Sequence, residues 1–289
     1  MRRGKMKYFI ALLTAGLIFG AAIQVQAEEV TNPTVEFDSY FRYRPSVDRE
    51  QAPGKISLIE SGAEVGYNFK IADKLPVSIA VGQEFVGINE ENISVPLPAR
   101  LTQIYVDLDT YLPTPFKKVY LGVRVSPSFN SDNWSGDSES FRISEKTFLV
   151  YQPSDTLTLI AGAAFYPGYE YNIWPFAGMI YKLTEKLSFN LIPRTPSIKY
   201  RLNERLAVLL TGAFENEEFQ VARGNTGSAV LKYREKRIGG GVEYDINKHI
   251  QSFITVGGSF GRFLDYKDDI GKVQIESGVY TEVRLQAKF

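Results

Sequence analysis

Carboxylates placed two or four residues apart are the side chains of this sequence that could carry out acid–base chemistry. Alternate residues of a β-strand point to the same side, so each such pair would share one face of a strand. Two carboxylates that face each other can act as general acid and general base, or they can form ion pairs with neighbouring cations. The four pairs are Glu36 with Asp38, Glu60 with Glu64, Asp107 with Asp109, and Glu243 with Asp245.

The groups that usually complete a catalytic or metal site are scarce. The sequence has one histidine, His249, and no cysteine. His249 stands in the polar stretch NKHI, which is typical of an exposed turn. A single histidine can act as the base for few nucleophiles. The common zinc and iron sites need several histidine or cysteine ligands, which this sequence does not have. The sequence therefore predicts no enzymatic activity, no metal site and no cofactor.

The charged residues stand in stretches that alternate between apolar and polar residues. In the final stretch, GVYTEVRLQAKF, apolar side chains such as Val283 alternate with charged ones such as Arg284, and residues 35–43 and 119–126 repeat the pattern. A period of two is that of a β-strand with one apolar and one polar face. An Arg or Lys that faces lipid at the bilayer centre costs about 2–4 kcal/mol, so in a membrane barrel the charged face would turn inward.

Short polar turns recur between these strands, and a tyrosine precedes each of them. KIADKL follows Tyr67 and KLTEKL follows Tyr181, whereas other connections, such as NSDNWSGDSES, are longer and more polar. Outer-membrane barrels sort their connections in this way, with short turns on the periplasmic side and aromatic girdles at the lipid boundaries. The tyrosines expected in the periplasmic girdle are Tyr67, Tyr111, Tyr151, Tyr181, Tyr200 and Tyr244.

The number of short turns predicts the number of strands. Six turns, with both chain ends on the same side, give 14 strands, and 12 strands is the alternative. The expected fold is all-β, a transmembrane antiparallel up-and-down β-barrel.

One stretch, LKYREKRIGGG, breaks the alternation, which indicates a bulge or the end of the membrane zone. The residues expected to line the lumen, as a pore or as a plug, are Glu36, Asp38, Arg42, Arg44, Glu60, Glu64, Asp107, Asp109, Arg124, Lys199, Arg201, Glu243, Asp245, Glu282 and Arg284.

The first 27 residues have the three zones of a secretory signal peptide. Four basic residues precede an apolar run from Tyr8 to Ile23, and the small residue Ala27 follows. The run of about 16 residues is shorter than the roughly 20 that a spanning helix needs. Cleavage near Ala27 would remove four of the 33 Lys and Arg and leave a single barrel domain, residues 28–289, with 33 Asp and Glu. This mildly acidic chain has no basic cluster that would favour nucleic acid.

The leader, the alternating strands and the terminal VRLQAKF together resemble bacterial outer-membrane β-barrel proteins of the porin or channel class. The run from Trp174 through Pro193 to Leu202 also resembles an uncharacterised outer-membrane barrel family. The resemblance implies the outer membrane of a Gram-negative bacterium, with lipid, lipopolysaccharide and the barrel-assembly machinery as partners, and a monomer is expected. In this class the assembly machinery reads a C-terminal strand that ends in Phe. The residues that would carry this signal are Val283, Leu285 and Phe289.

One predicted hairpin, residues 187–202, is unusually short. The turns before and after it, at Glu185 and Glu204, are 19 residues apart. Strands of about seven residues would rise roughly 16 Å, against an apolar band about 25 Å tall. Pro193 and Pro196 remove backbone donors near the tip. We therefore expect either a low wall with a lateral opening at this place, or a hairpin that folds inward.

Three functions are compatible with this interpretation. The first is an outer-membrane channel that passes small solutes through a lumen of mixed charge. The second is a lateral portal for hydrophobic ligands at the hairpin 187–202. The third is a closed structural or adhesive barrel that acts through its outer loops. The sequence names no substrate, because a fold does not by itself define a function.

Overall fold

The computed structural model of the chain describes residues 33–50, 53–72, 75–133, 140–167, 172–222, 228–267 and 271–289. The expected signal peptide, with its cleavage site near Ala27, lies outside these residues. Within them, no helix is long and apolar enough to cross a membrane. Most of the described chain is in β-strands.

Fifteen β-strands follow one another along the described residues. Several have 17 or 18 residues, whereas β9, β10 and β14 have four or five. The strands are β1 (Thr34–Asp48), β2 (Lys55–Ile71), β3 (Leu75–Glu91), β4 (Arg100–Pro113), β5 (Val119–Ser131), β6 (Phe141–Ser154), β7 (Leu157–Phe165), β8 (Ile173–Lys182), β9 (Leu187–Asn190), β10 (Ser197–Arg201), β11 (Leu206–Ala222), β12 (Ser228–Asp245), β13 (Ile250–Tyr266), β14 (Lys272–Ile275) and β15 (Gly278–Lys288).

The strands form one closed antiparallel barrel. Each strand from β1 to β13 pairs with its neighbours along the chain, and β15 closes the ring by pairing with both β1 and β13. β14 pairs with β13 directly beyond the residues of β13 that pair with β15, so β14 and β15 together occupy one strand position. The barrel therefore has 14 strand positions, which confirms the predicted number.

Six short turns lie at one end of the barrel, which we call the turn end, and the longer connections lie at the opposite loop end. Asparagine side chains hold two of the turns. The Asn203 side chain accepts hydrogen bonds from the amides of Arg205 and Leu206, and Asn247 does the same in the turn between β12 and β13. This local capping explains why polar residues that favour turns recur at these positions.

The barrel has an apolar exterior and a charged interior. Val81 and Ile254 lie in the middle of strands and are 51% and 59% exposed on the outside. Arg42 and Glu60, which point inward, are buried. This distribution is the reverse of that in a soluble protein, and it is typical of a transmembrane barrel whose outer face meets hydrocarbon.

The irregular stretch LKYREKRIGGG of β12 lies opposite a bulge in β13. Arg234 pairs with Phe263 and Lys236 pairs with Phe260, so β13 has one residue more than β12 at this place. Gly261 lies in the bulge with a φ of 57°, a left-handed conformation that glycine adopts without a steric penalty. The bulge that the sequence indicates is present, but the extra residue belongs to β13.

A parallel contact between β5 and β11 closes part of the loop end. Both strands run toward the loop end, and Ser131 of β5 pairs with Gln220 of β11. The Asp132 amide donates to the Gln220 carbonyl oxygen at 3.2 Å, and the Asp132 carboxylate accepts from the Ala222 amide at 3.1 Å. At this level the contact joins β5 directly to β11 and closes a smaller ring of strands. The strands β6 to β10, which lie between β5 and β11 in the barrel wall, are outside this ring.

An apolar core fills the interior at the loop end, inside this ring. The loop between β3 and β4 adds Ile93, Val95 and Leu97 to it. Because inward-facing residues there are apolar, their burial stabilises the closed loop end by about 1.5–3 kcal/mol for each large side chain. The sequence analysis assigned only charged residues to the interior and missed this core. Its most deeply buried members are Ile56, Leu58, Leu101, Val221, Leu231, Leu264, Val273 and Ile275.

Candidate functional site

A cluster of arginines and glutamates links β1 and β2 to β11 and β12 across the interior. Arg42 pairs with Glu60 and, at 2.6 Å, with Glu282. Arg44 pairs with Glu60 at 2.7 Å and also with Glu235. We call this group the central cluster, and its members are Arg42, Arg44, Glu60, Glu215, Glu235, Arg237 and Glu282.

Most of the central cluster is buried, and its three guanidinium groups pair with all four of its carboxylates. Arg44 is 0% exposed and Glu235 is 1% exposed. The Tyr233 hydroxyl adds a hydrogen bond to Glu60 at 2.7 Å. A buried charge without a partner is strongly unfavourable, and pairing of this kind is what allows so many charges to be buried together. Its paired side chains therefore occupy the interior between β1 and β12.

Three carboxylates of the central cluster are close enough to be considered as metal ligands. One oxygen each of Glu60, Glu215 and Glu235 lie within 4.8 Å of one another. Arg237 donates to Glu215 at 2.6 Å and to Glu235 at 2.7 Å, and Arg44 pairs with Glu60 and Glu235. Among the described residues, these guanidinium groups supply the positive charge that a metal ion would bring. The arrangement is that of an ion-pair cluster.

Sequence analysis missed three members of the central cluster, Glu215, Glu235 and Arg237. Their signal is nevertheless present, because Glu235 and Arg237 have the same parity as the predicted lumen residue Glu243. The outward-facing residues in this part of β12 are also charged, so the stretch has no apolar face to mark the parity. A strict count of odd and even positions along β12 would have found both residues.

Further ion pairs line the interior toward the turn end. Each of them joins two strands of the wall, and each contains at least one residue that the sequence assigned to the lumen. Several of their carboxylates, such as Asp38 and Glu243, are buried. The pairs are Asp38 with Arg284, Glu36 with Lys288, Lys199 with Glu243, and Arg201 with Asp245.

The remaining predicted lumen residues lie on β2, β4 and β5. Arg124 pairs with Asp109 at 2.5 Å and with Asp107 at 3.6 Å. Glu64 accepts a hydrogen bond from the Tyr105 hydroxyl at 2.6 Å. Except for Asp109, these groups border a polar cavity of about 310 Å³. The structure thus places all the predicted lumen residues on inward faces.

Tyr111 lies inside the barrel and does not belong to an outer girdle. It shares the inward face of β4 with Asp109, and its ring lies 6.1 Å from that of Phe148, edge to face. The ring of Phe148 lies a further 6.1 Å from that of Phe176. The prediction for Tyr111 was wrong because it relied on closeness to a turn and not on the parity of the strand. We call Tyr111, Phe148 and Phe176 the aromatic row.

Glycines allow the aromatic row to lie against the inner wall. Gly122 of β5 and Gly162 of β7 are the partners of Phe148 in register on either side. A Cβ atom at either glycine would overlap Phe148. Because glycine leaves this space free, the row forms an apolar strip on the inner surface of β4 to β8.

The other five predicted girdle tyrosines lie on outward faces near the turn end. Four of them are each 44% exposed, and Tyr181 stacks on Phe189 with 6.4 Å between ring centroids. Such positions are typical of aromatic side chains at a lipid–water boundary. The four are Tyr67, Tyr151, Tyr200 and Tyr244.

The outward face of β15 carries the residues predicted to guide assembly. Val283 is 54% exposed, Phe289 is 63% exposed, and Leu285 shares their face. The ring of Phe289 stacks on that of His249 at 5.5 Å, and His249 Nδ1 lies 2.8 Å from the Lys288 carbonyl oxygen. His249 is therefore an exposed turn residue, as predicted, while the assembly role of the other three residues stays a prediction.

A cavity of about 1370 Å³ occupies part of the interior beside the central cluster. It extends from the turn at residues 182–186 to the hairpin tip at residues 193–196. Phe148 and Phe176 of the aromatic row line it, and so do Lys199 and Arg201 of the turn-end ion pairs. The cavity thus has both apolar and charged walls.

The tip of the hairpin β9–β10 bends into the barrel. Ile192 lies over Gly178 of β8, where a Cβ atom would meet the Ile192 Cα at 2.9 Å. Ile192 then packs against the cluster around Phe148. The Pro196 carbonyl oxygen accepts a hydrogen bond from the Gly212 amide at 2.8 Å. Inward folding is one of the two alternatives that the sequence left open for this hairpin.

The hairpin reaches different heights on its two sides. On β11 it reaches Phe214, whose amide donates to the Arg194 carbonyl oxygen at 3.0 Å. On β8 its pairing ends where the Leu191 amide donates to the Met179 carbonyl oxygen at 2.7 Å. Within the described ranges, residues 173–178 of β8 have no strand partner on this side. An unpaired strand edge is unfavourable in hydrocarbon, so this edge requires protein, water or a bound molecule.

These features define a class of protein, a transmembrane β-barrel whose interior is divided between an ion-pair cluster and a cavity. The chain belongs to the family described as domain of unknown function DUF6268, whose model matches residues 26–276. No curated protein matches the sequence.

The solved structures with some likeness to the chain include outer-membrane channels and porins. An outer-membrane channel from Pseudomonas putida F1 is 9% identical with a TM-score of 0.47, covering 93% of this chain and 100% of that one. A deletion mutant of the TodX monoaromatic hydrocarbon channel is 11% identical with a TM-score of 0.44, covering 89% and 90%. The NanC porin is 9% identical with a TM-score of 0.40, covering 88% and 100%. These likenesses are weak, and the barrel is defined by the strand pairing of this chain.

Proposed function

We propose that this protein is an outer-membrane channel that passes small molecules through the cavity beside the central cluster. The observation that carries the proposal is the cavity of about 1370 Å³ between the turn end and the hairpin tip. Binding sites for small molecules usually have about 300–1,000 Å³, so this space can hold such a molecule together with water. The central cluster and the apolar core occupy other parts of the interior. The passage would therefore run on the side of β6 to β10.

The passage would leave the interior past the hairpin tip, along the unpaired edge of β8. The polar cavity of about 310 Å³ shares Arg124, Lys146 and Ala213 with the larger one, which supports a route around the tip. Water or a solute in the passage would satisfy the backbone groups of residues 173–178, which lipid cannot do. A side exit of this kind joins the first two functions that the sequence left open, solute passage and a lateral portal.

The same proposal assigns the protein to the outer membrane of a Gram-negative bacterium, with the turn end in the periplasm. The exposed apolar residues of the exterior and the short connections at one end support this orientation. We further propose that the chain acts as a monomer, embedded in lipid and lipopolysaccharide and inserted by the barrel-assembly machinery. No catalytic step is part of the proposal.

A pair of tryptophan substitutions tests the route. Ala213 lines both cavities, whereas Ala161 is exposed on the outward face of β7, away from the unpaired edge of β8. Liposomes that contain the purified barrel would be placed in isosmotic arabinose, and their swelling rate would be measured. We expect Ala213→Trp to slow swelling by about fivefold or more, because the indole would fill the passage, while Ala161→Trp leaves the rate unchanged. Equal rates for the two variants would contradict the route.

A closed structural or adhesive barrel is the second candidate function. The central cluster and the apolar core favour it, because they fill a large part of the interior with paired or apolar side chains. This candidate predicts that liposomes with the unmodified protein swell no faster than empty ones. Swelling that Ala213→Trp suppresses would exclude it.

A further inference from the structure

Lys146 differs from Arg124 and Arg194, the two cations near it in the cavity wall, in that it forms no ion pair with any described residue. It projects from the inward face of β6 and is the partner in register of Arg124 on β5. Arg124 bonds to Asp109 at 2.5 Å, and the nearby Arg194 bonds to Glu217 at 3.2 Å. In the part of the chain that the structure describes, Lys146 has neither an ion pair nor a hydrogen-bond partner for its ammonium group.

The surroundings of Lys146 are apolar on the side of the turn end. Phe148 follows two residues later on the same face of β6, with Phe176 beside it in the aromatic row. Ala164 is the partner in register of Lys146, and Trp174 is the partner of Ala164. The ammonium group therefore stands one step closer to the loop end than the aromatic row, on the wall of the same cavity.

Two carboxylates lie near Lys146, but Asp107 pairs with Arg124 and Glu217 pairs with Arg194. An ammonium group that makes no ion pair of its own in a partly enclosed cavity is unfavourable, and a charge-assisted hydrogen bond from a ligand would relieve this. Arg124 and Arg194 already have carboxylate partners, so they add positive potential without being free to bind a ligand in the same way. The adjacent rings offer faces and edges for an apolar group. The position thus presents one free cation beside one apolar strip.

We infer that Lys146 and the aromatic row form a binding site for carboxylates that carry an apolar body. The carboxylate would accept a hydrogen bond from Lys146 Nζ, and the aryl or alkyl part would lie against Phe148 and Phe176. This inference rests on the proposed function, because the ligand would enter through the same passage. It names the chemical class of solute that the passage would favour.

Trp174 provides a reporter for this site. It lines the cavity in the same cross-strand row as Lys146, and the only other tryptophan of the sequence is Trp134, which lies outside the described residues. In the Trp134→Phe background, the barrel in lipid nanodiscs would be titrated with 4-phenylbutyrate while Trp174 fluorescence is recorded. The neutral 4-phenyl-1-butanol has the same apolar body and isolates the contribution of the carboxylate.

We expect 4-phenylbutyrate to bind about tenfold more tightly than the alcohol, a difference of about 1.4 kcal/mol. Lys146→Met would abolish this preference, and Lys146→Arg would keep it to within about threefold, because the positive charge remains. Lys182→Met is the matched control. Lys182 also faces the cavity but lies about 26 Å from Trp174 along β8, so its loss would leave the preference intact.

Equal affinities for acid and alcohol, or equal losses in the Lys146→Met and Lys182→Met variants, would overturn the inference. A folded barrel in each variant would be verified by its heat-modifiable electrophoretic mobility. Phe176→Leu would weaken the binding of both probes, which tests the apolar part separately. If the liposomes swell in arabinose but the barrel binds acid and alcohol equally, the binding site is overturned and the channel proposal stands. Binding of the acid without swelling would contradict the channel and support the site.

Discussion

Ser131 of β5 and Gln220 of β11 pair in parallel, although the strands β6 to β10 lie between them in the barrel wall. The Asn130 side chain supports this contact by donating to the Glu218 carbonyl oxygen at 3.1 Å. The contact is possible because the hairpin β9–β10 covers β11 only as far as Phe214 and leaves its edge free beyond that point. The barrel can therefore close its loop end around the apolar core and still keep a cavity beside β6 to β10.

Removing the Asp132 carboxylate should loosen the contact between β5 and β11. In Asp132→Ala the Ala222 amide loses its acceptor, and a hydrogen bond to a charged group contributes about 1.5–3 kcal/mol. We expect hydrogen–deuterium exchange of the segment around Gln220 to accelerate by about tenfold. Asp155→Ala, in the exposed turn between β6 and β7, is the control. The same exchange rate in both variants would show that Asp132 does not hold the contact.

Arg44 is the member of the central cluster whose loss we expect to be most destabilising. Arg44→Met leaves Glu60 and Glu235 with fewer partners, and breaking a buried ion pair by removing one side costs about 3–5 kcal/mol. Chemical unfolding of the barrel in lipid vesicles measures the loss. Adding Glu235→Leu should restore part of the stability, because it removes one of the uncompensated charges. Arg205→Met, at an exposed turn, should change the free energy of unfolding little, and an equally small effect of Arg44→Met would contradict the structural role of the cluster.

Arg124 and Asp107 line the passage and should influence which ions enter it. Arg124→Glu replaces a positive by a negative charge on the wall of both cavities, so we expect the reversal potential in a salt gradient to shift toward cation preference. Asp107→Lys should shift it in the opposite direction. Arg205→Glu, in the exposed turn between β10 and β11 and outside both cavities, serves as the control. A shift in the control as large as that of Arg124→Glu would mean that surface charge, and not the passage, sets the preference.

Most of the fold could be predicted because a membrane barrel enforces a simple rule along each strand. The alternation of GVYTEVRLQAKF corresponds to β15, and the six tyrosine-marked turns give the observed 14 strand positions. Tyr111 is the position at which this alternation was not considered. It is two residues from Asp109 on β4, so both side chains face the interior. The outward position of the other tyrosines follows from the same parity.

The arrangement of the interior could be predicted only in part. Parity shows that Arg44 and Glu60 face inward, but it cannot show that Arg44 meets Glu235, which lies 191 residues away in the sequence. The apolar core was not predicted because an alternating pattern does not show that inward-facing residues near strand ends, such as Leu58 and Leu231, pack against one another. The contact between β5 and β11 depends on the unequal lengths of non-adjacent strands, which no local pattern reveals.

Single-channel recording in a planar bilayer tests the proposed passage most directly. The purified barrel, shown to be folded by its heat-modifiable mobility, would be inserted and the current recorded at fixed voltage. We predict discrete steps of current that Ala213→Trp reduces and Ala161→Trp leaves unchanged. Silence from folded and inserted barrels would contradict the passage and favour a closed barrel.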